Sequence, residues 1–269
     1  MKPHFSTLLL VIILTGIGCT KLTELSTEGQ PLPVQQVPDY FIAIPDDMTI
    51  LVDASKDGGT WWFPQSPATG FSNTANHQGK GLADYLRSLG FRVDELPRGA
   101  VVTKDLLDKY SKIIRSPAFF PYTDDELTAY KSFLNRRGAI LLLQDHLSYT
   151  GNDKLSIYLG LKFEGAVDGT ITNFTPHEIT GGISSIPFIG GAVVTNTENN
   201  PKIVVLGSLN KNSYQVLNNS SFYVGNIAPP VMGTVNNFPD TRIFFLGDVN
   251  ALELLPQPFT KNLVHWLFQ

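Results

Sequence analysis

The chain has 269 residues, of which 42% are hydrophobic and 16% charged, enough apolar mass to bury one substantial core. A formal net charge of −4 with no long Lys/Arg run excludes a nucleic-acid partner, whose phosphates demand a basic face. Cys19 is the single cysteine, so disulfides cannot brace the fold and packing must hold it.

The first element is a leader. Lys2 precedes an apolar run from Leu8 to Ile17, about half of the ~20 residues that a spanning helix needs. Gly18, directly before Cys19, supplies the small side chain that a lipoprotein peptidase requires at its cut, although Gly16 stands where such signals usually carry leucine. The expectation is a signal peptide over residues 1–19 that ends at a lipidated Cys19. An ordinary signal peptide cut nearby is the plainer alternative, but it leaves an unpaired thiol on an exported chain. Several acyl chains, at ~0.8 kcal/mol per buried methylene, would hold the protein on a membrane. The expected location is the cell envelope outside the cytoplasm, in the periplasm or at the outer-membrane surface. Residues 20–45 carry Pro31, Pro33, Pro38 and Pro45 among Ser, Thr and Gln, and are expected to form a flexible tether.

Residues 46–269 are expected to form one domain, in which short apolar runs alternate with amphipathic segments. Ile50 to Val52 reads as a strand that ends at Asp53, and Gly79 to Leu89 as a helix with Leu82, Leu86 and Leu89 on one face. Phe91 to Val93 and Lys112 to Arg115 are the next strands. Thr123-Asp-Asp-Glu126 is a capping box opening a helix to about Arg137, and Ala139 to Leu143 reads as a strand buried on both faces. This order of strands and helices predicts an α/β fold with an open doubly wound, mostly parallel sheet. Gly165 to Val235, rich in Gly, Asn, Thr and Ser, is expected to be a β-rich insertion in the C-terminal half. Arg242 to Leu246 returns as a strand, and Pro258 to Phe268 as an amphipathic helix.

Asp53, Asp145, His146 and Asp248 each stand just past a predicted strand end, where open α/β sheets bind their ligands. The plainer role for each carboxylate is to cap a helix or fasten a loop. Trp61 and Trp62 offer flat faces suited to sugar rings, or else seal the sheet edge; His77 and Gln78 precede the first helix, where they could direct donors at an anion or glycan, or simply cap it. His77, His146 and His177 lack any His-x-x-x-His spacing, so neither a metal site nor a cofactor is expected. The Asn-x-Ser/Thr triplets at Asn173 and Asn218 carry no assigned role.

Leu82 to Leu86 with Leu89-Gly-Phe91, Tyr122 to Glu126, Phe133 to Leu143, His177 to Thr180 with Gly182, Phe244 to Asp248, and Asn262 to Leu267 together carry a resemblance. In order and spacing they resemble the flavodoxin-like core of the class I glutamine amidotransferase-like superfamily. The likeness is nearer its non-amidotransferase branches, the ThuA-like proteins and uncharacterised domains related to gliding-motility and intraflagellar-transport proteins. The superfamily's enzymes hold a cysteine on a tight turn after a strand, and the matching turn reads Gln144-Asp-His-Leu-Ser148. Without a cysteine there, the resemblance implies no glutaminase or cysteine-protease chemistry. Ser148 with His146 has no glycine-flanked elbow to expose it. His177 is implied to lie near the cleft. The expected function is a non-catalytic binding or scaffold module for a glycan or an envelope protein. The alternative is a ThuA-like carbohydrate-active enzyme using Asp145, His146 or His177 as acid/base groups.

Overall fold

A computed structural model of the protein describes residues 47–57, 79–146, 153–198, 200–252 and 257–269. Cys19, the leader, the tether, Trp61, Trp62, His77, Gln78 and Ser148 lie outside the described residues.

The first half alternates strand and helix, as its apolar spacing dictates. Strand β1 (Thr49–Asp53) is buried along its whole length. Helix α1 (Lys80–Ser88) buries Leu82, Ala83 and Leu86, which return to one side every three to four residues. Gly90, at φ +91°, then turns the chain into β2 (Arg92–Leu96). The short helix α2 (Lys104–Leu107) is opened by Thr103, whose hydroxyl accepts from Leu106 N at 3.2 Å. Strand β3 (Lys112–Arg115) and helix α3 (Asp124–Leu134) follow. The capping box at Thr123 is formed, and α3 ends at Leu134 rather than near Arg137.

Glu126 of that box does more than cap. Its Oε2 accepts from Thr123 N at 2.8 Å, while Oε1 accepts from Val102 N at 3.1 Å and from Lys56 Nζ at 2.9 Å. One buried carboxylate thereby joins the loops after β1, β2 and β3. Burial pushes Glu126 up, but these donors outweigh it and hold the group below its ordinary value.

Strand β4 (Gly138–Leu143), helix α4 (Lys154–Tyr158) and the long strand β5 (Phe163–Phe174) lead into the second half. Strands β6 (Ile186–Val194), β7 (Ile203–Leu209), β8 (Gln215–Val216), β9 (Pro230–Val235) and β10 (Thr241–Leu246) precede the final helix α5 (Pro258–Phe268). All ten strands form one sheet in the order β2-β1-β3-β4-β10-β9-β7-β5-β6, with β8 beside β5. From β2 to β10 every pair is parallel, and beyond β10 every pair is antiparallel. The β-rich insertion is thus an extension of the sheet itself.

Helices cover both faces, as the doubly wound expectation requires. Leu82 and Leu86 of α1 and Phe259, Leu263 and Leu267 of α5 pack on Ile50, Val52, Leu141 and Phe244. Leu107 of α2, Tyr130 and Phe133 of α3, and Leu155 of α4 pack on Leu51, Ile113, Ile140 and Phe245. Alternate residues of β1, β3, β4 and β10 feed opposite cores, which is why the middle residues of these strands are apolar. Among the described residues, no helix is long and apolar enough to cross a membrane.

Candidate functional site

The carboxyl ends of β1, β3, β4 and β10 place Asp53, Arg115, Gln144 and Asp248 along one edge of the sheet. Asp53 is wholly buried and committed. Its Oδ2 accepts from the hydroxyls of Tyr122 at 2.7 Å and Tyr130 at 2.6 Å, and its Oδ1 from Ser55 N at 2.9 Å. Burial, reinforced by the charge of Asp53, holds both phenols well above their ordinary value. A carboxylate with three donors inside the core ties α3 to β1 and offers a ligand nothing.

A second buried network occupies the end of β3 and β4. Arg115 Nη2 pairs with Asp153 Oδ2 at 2.9 Å, and both side chains are inaccessible, at 0% and 2% exposure. The same oxygen accepts from Gln144 Nε2 and from Ser156 Oγ, each at 2.6 Å. Asp153 Oδ1 also caps α4, accepting from Leu155 N at 3.1 Å. The turn after β4 therefore begins with Gln144 wired into the interior. Sequence reasoning missed Arg115, Gln144, Asp153, Tyr122 and Tyr130. A charge closing an otherwise buried strand at Arg115, and the Asp153-x-x-Ser156 cap, were the available signals.

Asp145 and His146, the next residues, are half-buried. Asp145 Oδ1 accepts from His146 N at 2.6 Å. Burial, with the nearby charge of Asp57 adding to it, pushes Asp145 up to about 7. Burial also holds the His146 imidazole below its ordinary value. Asp248 has no exposed surface, and its oxygens accept from Ile189 N at 2.7 Å and Asn250 N at 2.8 Å. Burial pushes it up to about 8, helped by the charges of Asp145 and Asp168.

His177 does not join them. Its Nδ1 accepts from Ile179 N at 3.2 Å, and its ring meets the Trp266 edge with centroids 5.4 Å apart. Asn262 of α5 fastens the same turn by donating to Gly181 O at 2.9 Å. Trp266 O accepts from Arg242 Nη1, and Arg242 lies at the start of β10, the opposite end of that strand from Asp248. The resemblance implied that His177 lies near the cleft, whereas here the histidine belongs to a loop packed on α5. Among the described residues, no group of three or more His, Cys, Asp or Glu is arranged to hold a metal.

What the edge does offer is aromatic. Phe119 and Phe120, in the loop from β3 to α3, are 47% and 50% exposed. Their rings meet edge to face, with centroids 5.1 Å apart at 75°. Both backbone amides donate to Lys56 O, so the loop after β1 fixes the pair in place. Val101, 63% exposed, stands one residue before the amide that Glu126 anchors. A cavity of about 510 Å³ lies at the other edge, between Asp47, Lys112, Arg137, Asp240 and Arg242, and contains none of the candidate residues.

No family model matches the chain, and no curated protein does. Solved structures do. The N-terminal domain of mmIFT52 superposes with a TM-score of 0.59 at 15% identity, covering 82% of this chain and 97% of that one. A ThuA-like protein from Bacteroides uniformis superposes with a TM-score of 0.53 at 15% identity, covering 88% of this chain and 93% of that one. At such identity the likeness is one of fold: the chain shares a flavodoxin-like α/β architecture with these two structures.

Proposed function

We propose that this chain is a membrane-anchored extracytoplasmic lipoprotein whose amidotransferase-like domain is a non-catalytic binding or scaffold module for a glycan or an envelope partner. The leader ending at Cys19 supports the anchor. One observation carries the binding role. At the ligand-facing edge of the sheet, Asp53, Arg115, Gln144 and Asp153 serve the interior, while Phe119 and Phe120 present exposed rings above them. Rigidly held exposed aromatics are the usual anchors of recognition surfaces.

A second reading, a ThuA-like carbohydrate-active enzyme, is favoured by Asp145 alone. A half-buried carboxyl pushed up to about 7 beside His146 has the affinity for a proton that a general acid needs near neutrality. A glycan array probed with the full chain, followed by product analysis on any glycan retained, separates the two. The binding role requires retention without conversion, lost on Phe119→Ala/Phe120→Ala. Conversion abolished by Asp145→Asn would replace it with the enzyme reading.

A further inference from the structure

At the amino ends of the parallel strands, the register of the sheet sets two cations astride a small residue. Lys112 of β3 pairs with Ala139 of β4, and Ala139 with Arg242 of β10. Ile114, Leu141 and Phe244, two residues further along each strand, share with Ala139 the core under α5, so all three side chains of the row project to that face. Neighbouring strands lie about 4.8 Å apart, which puts the Cα atoms of Lys112 and Arg242 about 10 Å from one another with only a methyl group between them. Ala139 thereby leaves room beneath Leu267 and Phe268 at the end of α5, and it lines the cavity of about 510 Å³. That volume falls within the range of about 300–1,000 Å³ usual for small-molecule sites.

The polar groups of this cavity are not used up on one another. Lys112 is buried, with 7% of its side chain exposed, and its ammonium donates to Asp47 O at 2.6 Å and to Asp47 Oδ1. One of its three donors is left over. Arg242 spends one donor on Trp266 O, which answers a carbonyl at the negative end of α5 and leaves the rest of the guanidinium to the cavity. Gly138 N donates to Asp240 O at 3.1 Å, which sets Arg137 beside Asp240. Among the described residues, neither of these two exposed side chains makes a hydrogen bond or an ion pair. Lys112, Arg137 and Arg242 outnumber Asp47 and Asp240 by one positive charge, on a chain whose formal net charge is −4.

We propose that this cavity binds a small hydroxylated monocarboxylate, of the size and class of a sugar acid. One excess cation matches a carboxylate, whereas a doubly charged phosphate would keep a charge unanswered. The planar fork of Arg137 receives both oxygens of a carboxylate, and the ammonium of Lys112, largely withdrawn from water, attracts the same group more strongly than a solvated lysine does. Asp240 accepts from hydroxyls, and Ala139, Leu267 and Phe268 supply apolar surface for the carbon face of the ring. The site is separate from the aromatic pair at the other edge, and either can fail without the other.

Titration of D-galacturonate into the isotope-labelled full chain, followed by NMR at the Gly138, Ala139 and Arg242 amides, tests this. A ligand of that size at ordinary efficiency per atom is expected to bind with a Kd of about 1 mM. D-Galactose, which lacks the carboxylate, and acetate, which lacks the hydroxyls, are each expected to bind at least about tenfold more weakly. Arg137→Gln, an exposed change that breaks no bond among the described residues, is expected to weaken galacturonate at least about tenfold. Amides that do not shift by about 20 mM galacturonate would overturn the proposal. So would galactose or acetate acting with equal affinity, or galacturonate binding undiminished in Arg137→Gln.

Discussion

The two halves of this sheet are specified by different means. In the parallel half, the middle residues of β1, β3, β4 and β10 are apolar and buried, and their position follows from burial. In the antiparallel half, β5 mixes buried and exposed residues without regular alternation, and it slips register between Glu164 and Val167 and again before Gly169. There the backbone is placed by close approach: a Cβ on Gly233 would strike the Val204 carbonyl, and one on Gly247 the Ala192 carbonyl. One half is held by what its side chains fill, the other by side chains that are missing and by carboxylates that catch stray amides. The polar groups are divided the same way. In the parallel half Asp153 is paired with a cation and Asp53 with hydroxyls, whereas Asp248, at the junction, accepts from the Ile189 and Asn250 amides.

The sharpest blow to the parallel half is Arg115→Met. It leaves Asp153 charged and unpaired in the core, and a loss of about 3–5 kcal/mol is expected in denaturant unfolding. A loss under about 1 kcal/mol would mean that the network is solvated and the division between the halves is wrong. Gly247→Ala strikes the junction instead, with about 2–3 kcal/mol expected from a side chain forced against backbone. Its signature is hydrogen exchange: protection should drop first in β6, with β1 and β3 unchanged. Thr123→Ala removes one of the two bonds of the capping box and should cost about 1 kcal/mol, without altering β6. The smallest stability change, about 0.5 kcal/mol, is expected for Phe119→Ala/Phe120→Ala, because both residues sit on the surface about half exposed.

The sequence made the parallel half legible and the antiparallel half only as a composition. Ala139 to Leu143, the capping box and the leucines of α1 have periods that name their structures without tertiary context. Strand β5 was hidden because Gly165, Asp168 and Gly169 interrupt its alternation, and each has a tertiary reason: a bulge, an amide to accept and a neighbour to admit. The site divided similarly. Asp53, Asp145 and Asp248 were placed correctly at strand ends, yet a sequence cannot tell a carboxylate facing a cleft from one facing two tyrosines. His177 looked close because family order implied it, but order along the chain does not fix which end of β10 a loop covers. Phe119 and Phe120, beside Pro121, carry no periodic signal in the sequence, and it is the bonds from their amides to Lys56 O that fix the loop.

The central claim is that this edge of the sheet recognises through its aromatic pair and builds with its carboxylates. Calorimetric titration of an array-selected glycan into the natural chain, Phe119→Ala/Phe120→Ala and Asp145→Asn tests it most directly. Affinity should fall at least about tenfold, about 1.4 kcal/mol, in the aromatic variant and change less than about twofold in Asp145→Asn. Undiminished binding without the two rings, with binding or turnover lost at Asp145, would contradict it.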